Sequence, residues 1–151
     1  MKFLLNRYVI GSMLGLLFML GVRTINGALH GREREARHQQ LVDQFRTIPT
    51  VPGGVVKSER DHYSRSEPGP IAVGADYHSN LPNDEVQEYY DKELTARGWE
   101  IVGRNGVEDW GRPTAATETH YCKDGLAATL WLRGRPNEYS IDFSWGLGRC
   151  S

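Results

Sequence analysis

Apolar positions recur every three or four residues through one stretch, residues 84–100, which reads Asp-Glu-Val-Gln-Glu-Tyr-Tyr-Asp-Lys-Glu-Leu-Thr-Ala-Arg-Gly-Trp-Glu. Val86, Tyr90 and Leu94 make a single stripe with Tyr89 beside it, the spacing of an amphipathic helix. The pattern predicts a helix over residues 84–97. Asn83 or Asp84 suits the cap of its first turn, and Asp84, Glu85 and Glu88 suit the positive end of its dipole. Gly98, following Arg97, stands where a left-handed C-terminal residue is wanted, and Trp99 opens the next strand.

Around this helix the period changes from 3.6 to two. Ile71, Val73, Ala75 and Tyr77 alternate with Ala72, Gly74, Asp76 and His78, which predicts a half-buried strand over 71–78. Residues 55–65 precede it across Ser66-Glu67-Pro68-Gly69-Pro70, a strong turn signal, so the two read as a hairpin. A strand over 99–104 follows the helix. Asn105-Gly106 and Gly111-Arg112-Pro113 then bracket a stretch read as irregular that contains Trp110. The last third predicts three strands, 117–122, 126–133 and 138–145. Leu126, Ala128, Leu130 and Leu132 share one face of the second, and Tyr139, Ile141, Phe143 and Trp145 share one face of the third. Strict alternation of this kind marks an antiparallel sheet with one buried side, and the helix stripe is its natural cover. The expected class is α+β, in the order β-β-α-β-β-β-β with one helix packed on one antiparallel sheet.

The first 48 residues are patterned differently. Residues 8–22 are uncharged and mostly apolar. Fifteen helical residues cover only about 22 Å, against a hydrocarbon core of about 30 Å. With Arg7 and Arg23 snorkelling to the headgroups, residues 3–25 become long enough. A cleaved secretory signal competes with an uncleaved anchor. Ile25-Asn26-Gly27 and Asn26-Gly27-Ala28 are poor cleavage sites, and no cysteine follows the apolar run to take a lipid, so the anchor is the reading adopted. Residues 31–48 are charged, then amphipathic. Leu41, Val42, Phe45 and Ile48 lie on one helical face, and Pro49 ends the helix. This predicts a stalk helix whose last two turns dock on the body. The chain thus divides into a short tail (1–7), a transmembrane anchor (8–25), a juxtamembrane stalk helix (26–48) and an extracytoplasmic α+β domain (49–151).

Charge sharpens this division. The net charge of −1 averages a leader (1–48) with seven Lys/Arg against three Asp/Glu and a body with eleven against sixteen. A basic leader on an acidic body fits an anionic membrane surface and no nucleic acid. Orientation is read from opposing signals. Arg23, Arg32, Arg34 and Arg37 after the segment outnumber Lys2 and Arg7 before it, which favours the body inside. The free α-amino group, Glu33 and Glu35, the signal-like N-terminus and the cysteine geometry favour it outside. The body is read as extracytoplasmic, on a single-pass protein of the inner (cytoplasmic) membrane.

The two cysteines supply that geometry. Cys122 ends the first strand of the final meander, and Cys150 lies beyond the third. In an up-down-up meander these ends fall at one sheet edge, on strands about 9–10 Å apart. Gly146 and Gly148 let the tail turn back, so a Cys122–Cys150 disulfide is expected, and with it an oxidising compartment.

Other chemistry is sparse. His30, His38, His62, His78 and His120 show no ligand spacing and read as surface residues. Folding about residues 67–69 sets His62 near Gly74, away from His78. There is no Gly-x-Ser-x-Gly and no phosphate-cradling glycine loop. The carboxylates Asp84, Glu85, Glu88, Asp91 and Glu93 read as a solvated helix face. No catalytic, cofactor-binding or metal-binding residue is expected. Trp99 and Trp145 read as core. Trp131 alternates out of phase with Leu130 and Leu132, so it is expected to face away from the helix and, with Trp110, to offer a surface contact.

Val86-x-x-Tyr89-Tyr90-x-x-x-Leu94-x-x-x-Gly98-Trp99 resembles a signature common in small bacterial membrane-anchored proteins and lipoproteins, an FY-x-x-x-L-x-x-x-GW helix and strand. Ile48-Pro49-x-x-Pro52-Gly53 resembles the entry to the same domains. The likeness spans residues 48–145 in outline and implies an extracytoplasmic α+β domain without implying an activity. Here the lipidated cysteine is lacking, so anchorage rests on the apolar segment. The expected function is a membrane-anchored interaction or assembly domain without catalytic activity. It would contact the bilayer through residues 8–25 and another membrane or envelope protein through its body. The alternative is a small periplasmic ligand-binding domain or an enzyme with a dispersed site.

Overall fold

The computed structural model of the chain describes residues 30–64, 69–110, 112–135, 137–148 and 150. The expected tail and anchor, residues 1–25, lie outside the described residues, as do 65–68 of the first turn. Among the described residues no helix is long and apolar enough to cross a membrane. The chain divides into two compact units, Met1–Ala36 and Arg37–Ser151. The described part of the first, residues 30–36, is helical. The second holds the folded body.

The protein is α+β, and its described residues form two helices and a six-stranded antiparallel sheet. Helix α1 covers residues 30–47. After it come β1 (Val55–His62), β2 (Ile71–His78), α2 (Asn83–Thr95), β3 (Glu100–Asp109), β4 (Arg112–Lys123), β5 (Leu126–Leu132) and β6 (Glu138–Trp145). The strand order across the sheet is β1-β2-β6-β5-β4-β3. The final three strands form the expected meander, and β6 returns to pair with β2.

One face of this sheet is buried as the alternation requires. Ile71, Val73, Ala75 and Tyr77 on β2 are buried, as are Leu126, Ala128, Leu130 and Leu132 on β5. Tyr139, Ile141 and Phe143 continue the layer on β6. Helix α2 lays Val86, Tyr90 and Leu94 on it. Trp99 is 1% exposed and meets Phe143 edge-on at 5.2 Å. The last turns of α1 dock on the same face: Leu41 is fully buried, and Phe45 meets Phe143 edge-on at 6.0 Å. His38 stacks on Tyr63 at 4.3 Å and its Nε2 lies 2.9 Å from Asp61 Oδ1, which ties α1 to the end of β1. Arg37 sits over Trp145, 5.8 Å from the ring centre. The helix stops as expected: Gly98 is left-handed (φ 82°), and the Trp99 N–H donates to the Leu94 carbonyl over 3.1 Å.

Three expectations need correction. The first residue of α2 is Asn83, its N-cap is Pro82, and neither Asn83 nor Asp84 makes a side-chain capping bond. Residues 105–109 and 112–113 are not irregular. β3 and β4 run on as a paired hairpin in which Asn105 and Gly106 stand opposite Glu118 and Thr117 without a turn, between register shifts at Ile101/Gly103 and at Gly106/Glu108. β5 pairs with β4 from Thr117 onward, so among the described residues 112–116 pair with β3 alone and form an arm. His62 pairs with Ala72 and not with Gly74. A slip of two residues keeps each side chain on its face, and it places Arg60 opposite Gly74.

Candidate functional site: a cleft between α2 and the outer strands

Helix α2 is wider than its apolar stripe. Its other flank overhangs β4 and β3, whose inward positions are Thr117, Thr119, Tyr121 and, across the bulge, Arg104. Polar side chains of α2, β3 and β4 meet here and bond to one another. The Thr119 hydroxyl, on a residue 1% exposed, donates to Gln87 Oε1 over 2.8 Å. Gln87 Nε2 donates to Asp91 Oδ1 (2.9 Å) and to the Tyr121 oxygen (3.0 Å). The Tyr121 hydroxyl donates to Asp91 Oδ1 over 2.7 Å, and Arg104 closes on Asp91 Oδ2. Burial, then the neighbouring Asp91 carboxylate, pushes the Tyr121 hydroxyl far above the usual tyrosine range, against the pull of Gln87 and Arg104. Tyr121 is therefore a fixed donor at neutral pH and no base.

At the N-terminal end of α2 this network opens into a cleft of about 420 Å³. Asn83, Asp84 and Gln87 form one wall, and Arg104, Asn105 and Gly106 the opposite wall. Ala115, Thr117, Thr119 and Leu132 lie between them. The size falls within the range of ligand pockets, roughly 300–1,000 Å³. A connected network holds its members in one geometry, so Gln87 and Thr119 are fixed where they line this cleft. The sequence reading placed Asp91 on a solvated helix face; the structure places it at the centre of the network. The legible signal was the run of threonines at inward positions of β4, where a sheet core calls for apolar residues.

The residues singled out from sequence do not meet here. Trp110 is 97% exposed at the tip of the β3–β4 arm. Trp131 is half-buried on the sheet face away from the helices, between Glu118 and Ser140 in register. Cys122 and Cys150 are bonded, with Cα atoms 5.6 Å apart, at the opposite end of the sheet from the arm. His120 is half-buried rather than on the surface, with Nε2 3.0 Å from Glu118 Oε1 and Nδ1 3.2 Å from the Thr129 hydroxyl. Among the described residues no group of three or more His, Cys, Asp or Glu is placed to hold a metal ion.

The far face of the sheet carries an ion-pair cluster. Arg60 holds Asp142 (2.8 and 3.0 Å) and Asp76 (2.5 Å), while Arg133 and Ser58 hold Asp76 from either side. Burial acts to raise the Asp76 pKa, but the hydrogen bonds from Arg60 and Ser58 outweigh it and hold the carboxyl below its ordinary value. All charges here are internally matched, which is the character of a structural network. The chain matches no family model, no curated protein and no solved structure.

Proposed function

We propose that the protein is a membrane-anchored, extracytoplasmic interaction or assembly domain. The Cys122–Cys150 bond carries this reading. It ties the C-terminal tail back to β4, and such structural disulfides persist where the environment is oxidising. The apolar run at 8–22, flanked by basic residues, supports attachment to a membrane. So does the likeness of the Val86–Trp99 pattern to anchored envelope domains. The arm supports the interaction role. A two-stranded hairpin is marginal by itself in water, and this one presents a fully solvated tryptophan, a residue type enriched at interfaces.

The test is labelling in intact cells with a membrane-impermeant thiol reagent, with and without prior reduction. Labelling that requires reduction is the expected result. Free thiols that react only after lysis would place the body inside and end the proposal.

A further inference from the structure

We propose that Thr129, His120 and Glu118, on the sheet face turned away from the helices, act as nucleophile, base and orienting carboxylate and accept an acyl group from a short-chain carboxylic ester. The activity is additional to the interaction role and does not depend on it. Thr129 on β5 stands opposite His120 on β4, and Glu118 lies two residues along β4 on the same face. His120 bridges them: its Nδ1 is 3.2 Å from the Thr129 hydroxyl and its Nε2 is 3.0 Å from Glu118 Oε1. Both lie within the reach that proton transfer needs, about 2.6–3.2 Å. An ionised carboxylate only accepts, so in the neutral ring the proton sits on Nε2 and the lone pair of Nδ1 faces Thr129. The hydroxyl therefore donates to a base that a third group holds in the productive tautomer, the arrangement that activates a weak nucleophile. Asp142, the other cross-strand neighbour of Thr129, is gripped by Arg60 instead.

Space for the acyl chain borders this pair. At the end of the same face the C-terminal tail walls a cavity of about 290 Å³, lined in part by Ala127, Ser144, Leu147, Gly148 and Cys150. Ala127 is two residues before Thr129 on β5, about 7 Å away at the usual strand rise. The volume is at the small end of ligand sites, which begin at roughly 300 Å³. Ala127 and Leu147 make part of the lining apolar, so a short acyl chain suits it. In the step, Thr129 Oγ1 bonds to the ester carbonyl carbon, and the bond from that carbon to the alcohol oxygen breaks. The hydroxyl proton passes to His120 Nδ1 and from there to the departing alkoxide. The products are O-acylated Thr129 and the free alcohol.

The experiment incubates the full chain in mild detergent with 4-nitrophenyl acetate, follows release of 4-nitrophenolate and maps the acetyl group by peptide mass spectrometry. The expected result is an acetyl group on Thr129, with release at least about tenfold slower in Thr129→Val and in His120→Gln. Thr129→Ser keeps the hydroxyl and should retain release, so the test survives if Thr129→Val does not fold. Glu118 is a positioning residue. Glu118→Gln replaces an acceptor-only group with an amide that also donates, which frees the tautomer, and should slow release. Glu118→Asp keeps a carboxylate and should recover part of the loss, with the melting temperature unchanged in both. No release above background, acetyl groups only on lysines or the amino terminus, or equal release from wild type and His120→Gln would overturn the proposal.

Discussion

Arg60 reaches across Gly74 to grip Asp142. The two charged residues stand on β1 and β6, with β2 between them, and the guanidinium lies 2.8 and 3.0 Å from the two carboxylate oxygens. The crossing exists because Gly74 has no side chain. A Cβ at that position would run into the Asp142 carboxylate and the Ile141 carbonyl.

Gly74→Ala should accordingly cost about 1–3 kcal/mol, the usual range for overpacking a filled site. Gly106→Ala, where a Cβ meets open space, should change stability by under about 1 kcal/mol, on the stabilising side if anything. Urea unfolding of both variants measures the contrast. Equal costs would show that Gly74 does not serve the crossing.

Leu94 is fully buried at the C-terminal end of the α2 stripe and Tyr90, at its centre, is 1% exposed, while Glu88 faces water. Leu94→Ala or Tyr90→Ala should cost about 2–4 kcal/mol and Glu88→Ala under about 0.5 kcal/mol. Small, equal effects at all three positions would mean that the stripe is not the main contact with the sheet.

Stability should fall at both ends of the pH scale for different reasons. Burial, with smaller contributions from Tyr139 and Glu59, pushes Tyr77 up to about 12. Burial likewise raises Tyr90 and Tyr121. A raised folded pKa stabilises below the unfolded value and is lost as pH rises, so unfolding should become easier from about pH 10 upward. Asp76 has the opposite sign: its lowered folded pKa contributes above about pH 4 and is lost as pH falls further. Unfolding free energies measured against pH should show the acid limb flattened in Asp76→Asn. The absorbance of ionised tyrosine should lag behind that of the denatured chain. An Asp76→Asn acid limb as steep as the wild type would remove Asp76 from the account.

Cys122→Ser, or reduction of the native protein, opens a loop spanning a sequence separation of 28. The chain-entropy estimate for a loop of that size is about 3–4 kcal/mol. The melting temperature under reducing and oxidising conditions measures the loss. A reduced protein as stable as the oxidised one would leave the bond no structural role.

The apolar periodicities of this chain determined its elements and their buried faces. The period-two runs on β2, β5 and β6 and the four-residue stripe on α2 each name the side chains that water rejects, and those side chains are the core. The disulfide was legible for a related reason: a meander fixes which strand ends share an edge, and the glycines on the tail allow the return. What only the tertiary structure decided is whatever depends on register and on side chains that periodicity treats as neutral. Whether Arg60 or His62 faces Gly74 is set by a two-residue slip that leaves the alternation unchanged, so the pattern holds no record of it. Asn105-Gly106 looks like a break in one dimension but lies paired within β3, because a partner strand supplies the hydrogen bonds. The cleft depends on Gln87, Asp91, Thr119, Tyr121 and Arg104 meeting from three elements. Each is unremarkable in sequence, and only packing removes the water that would otherwise satisfy them.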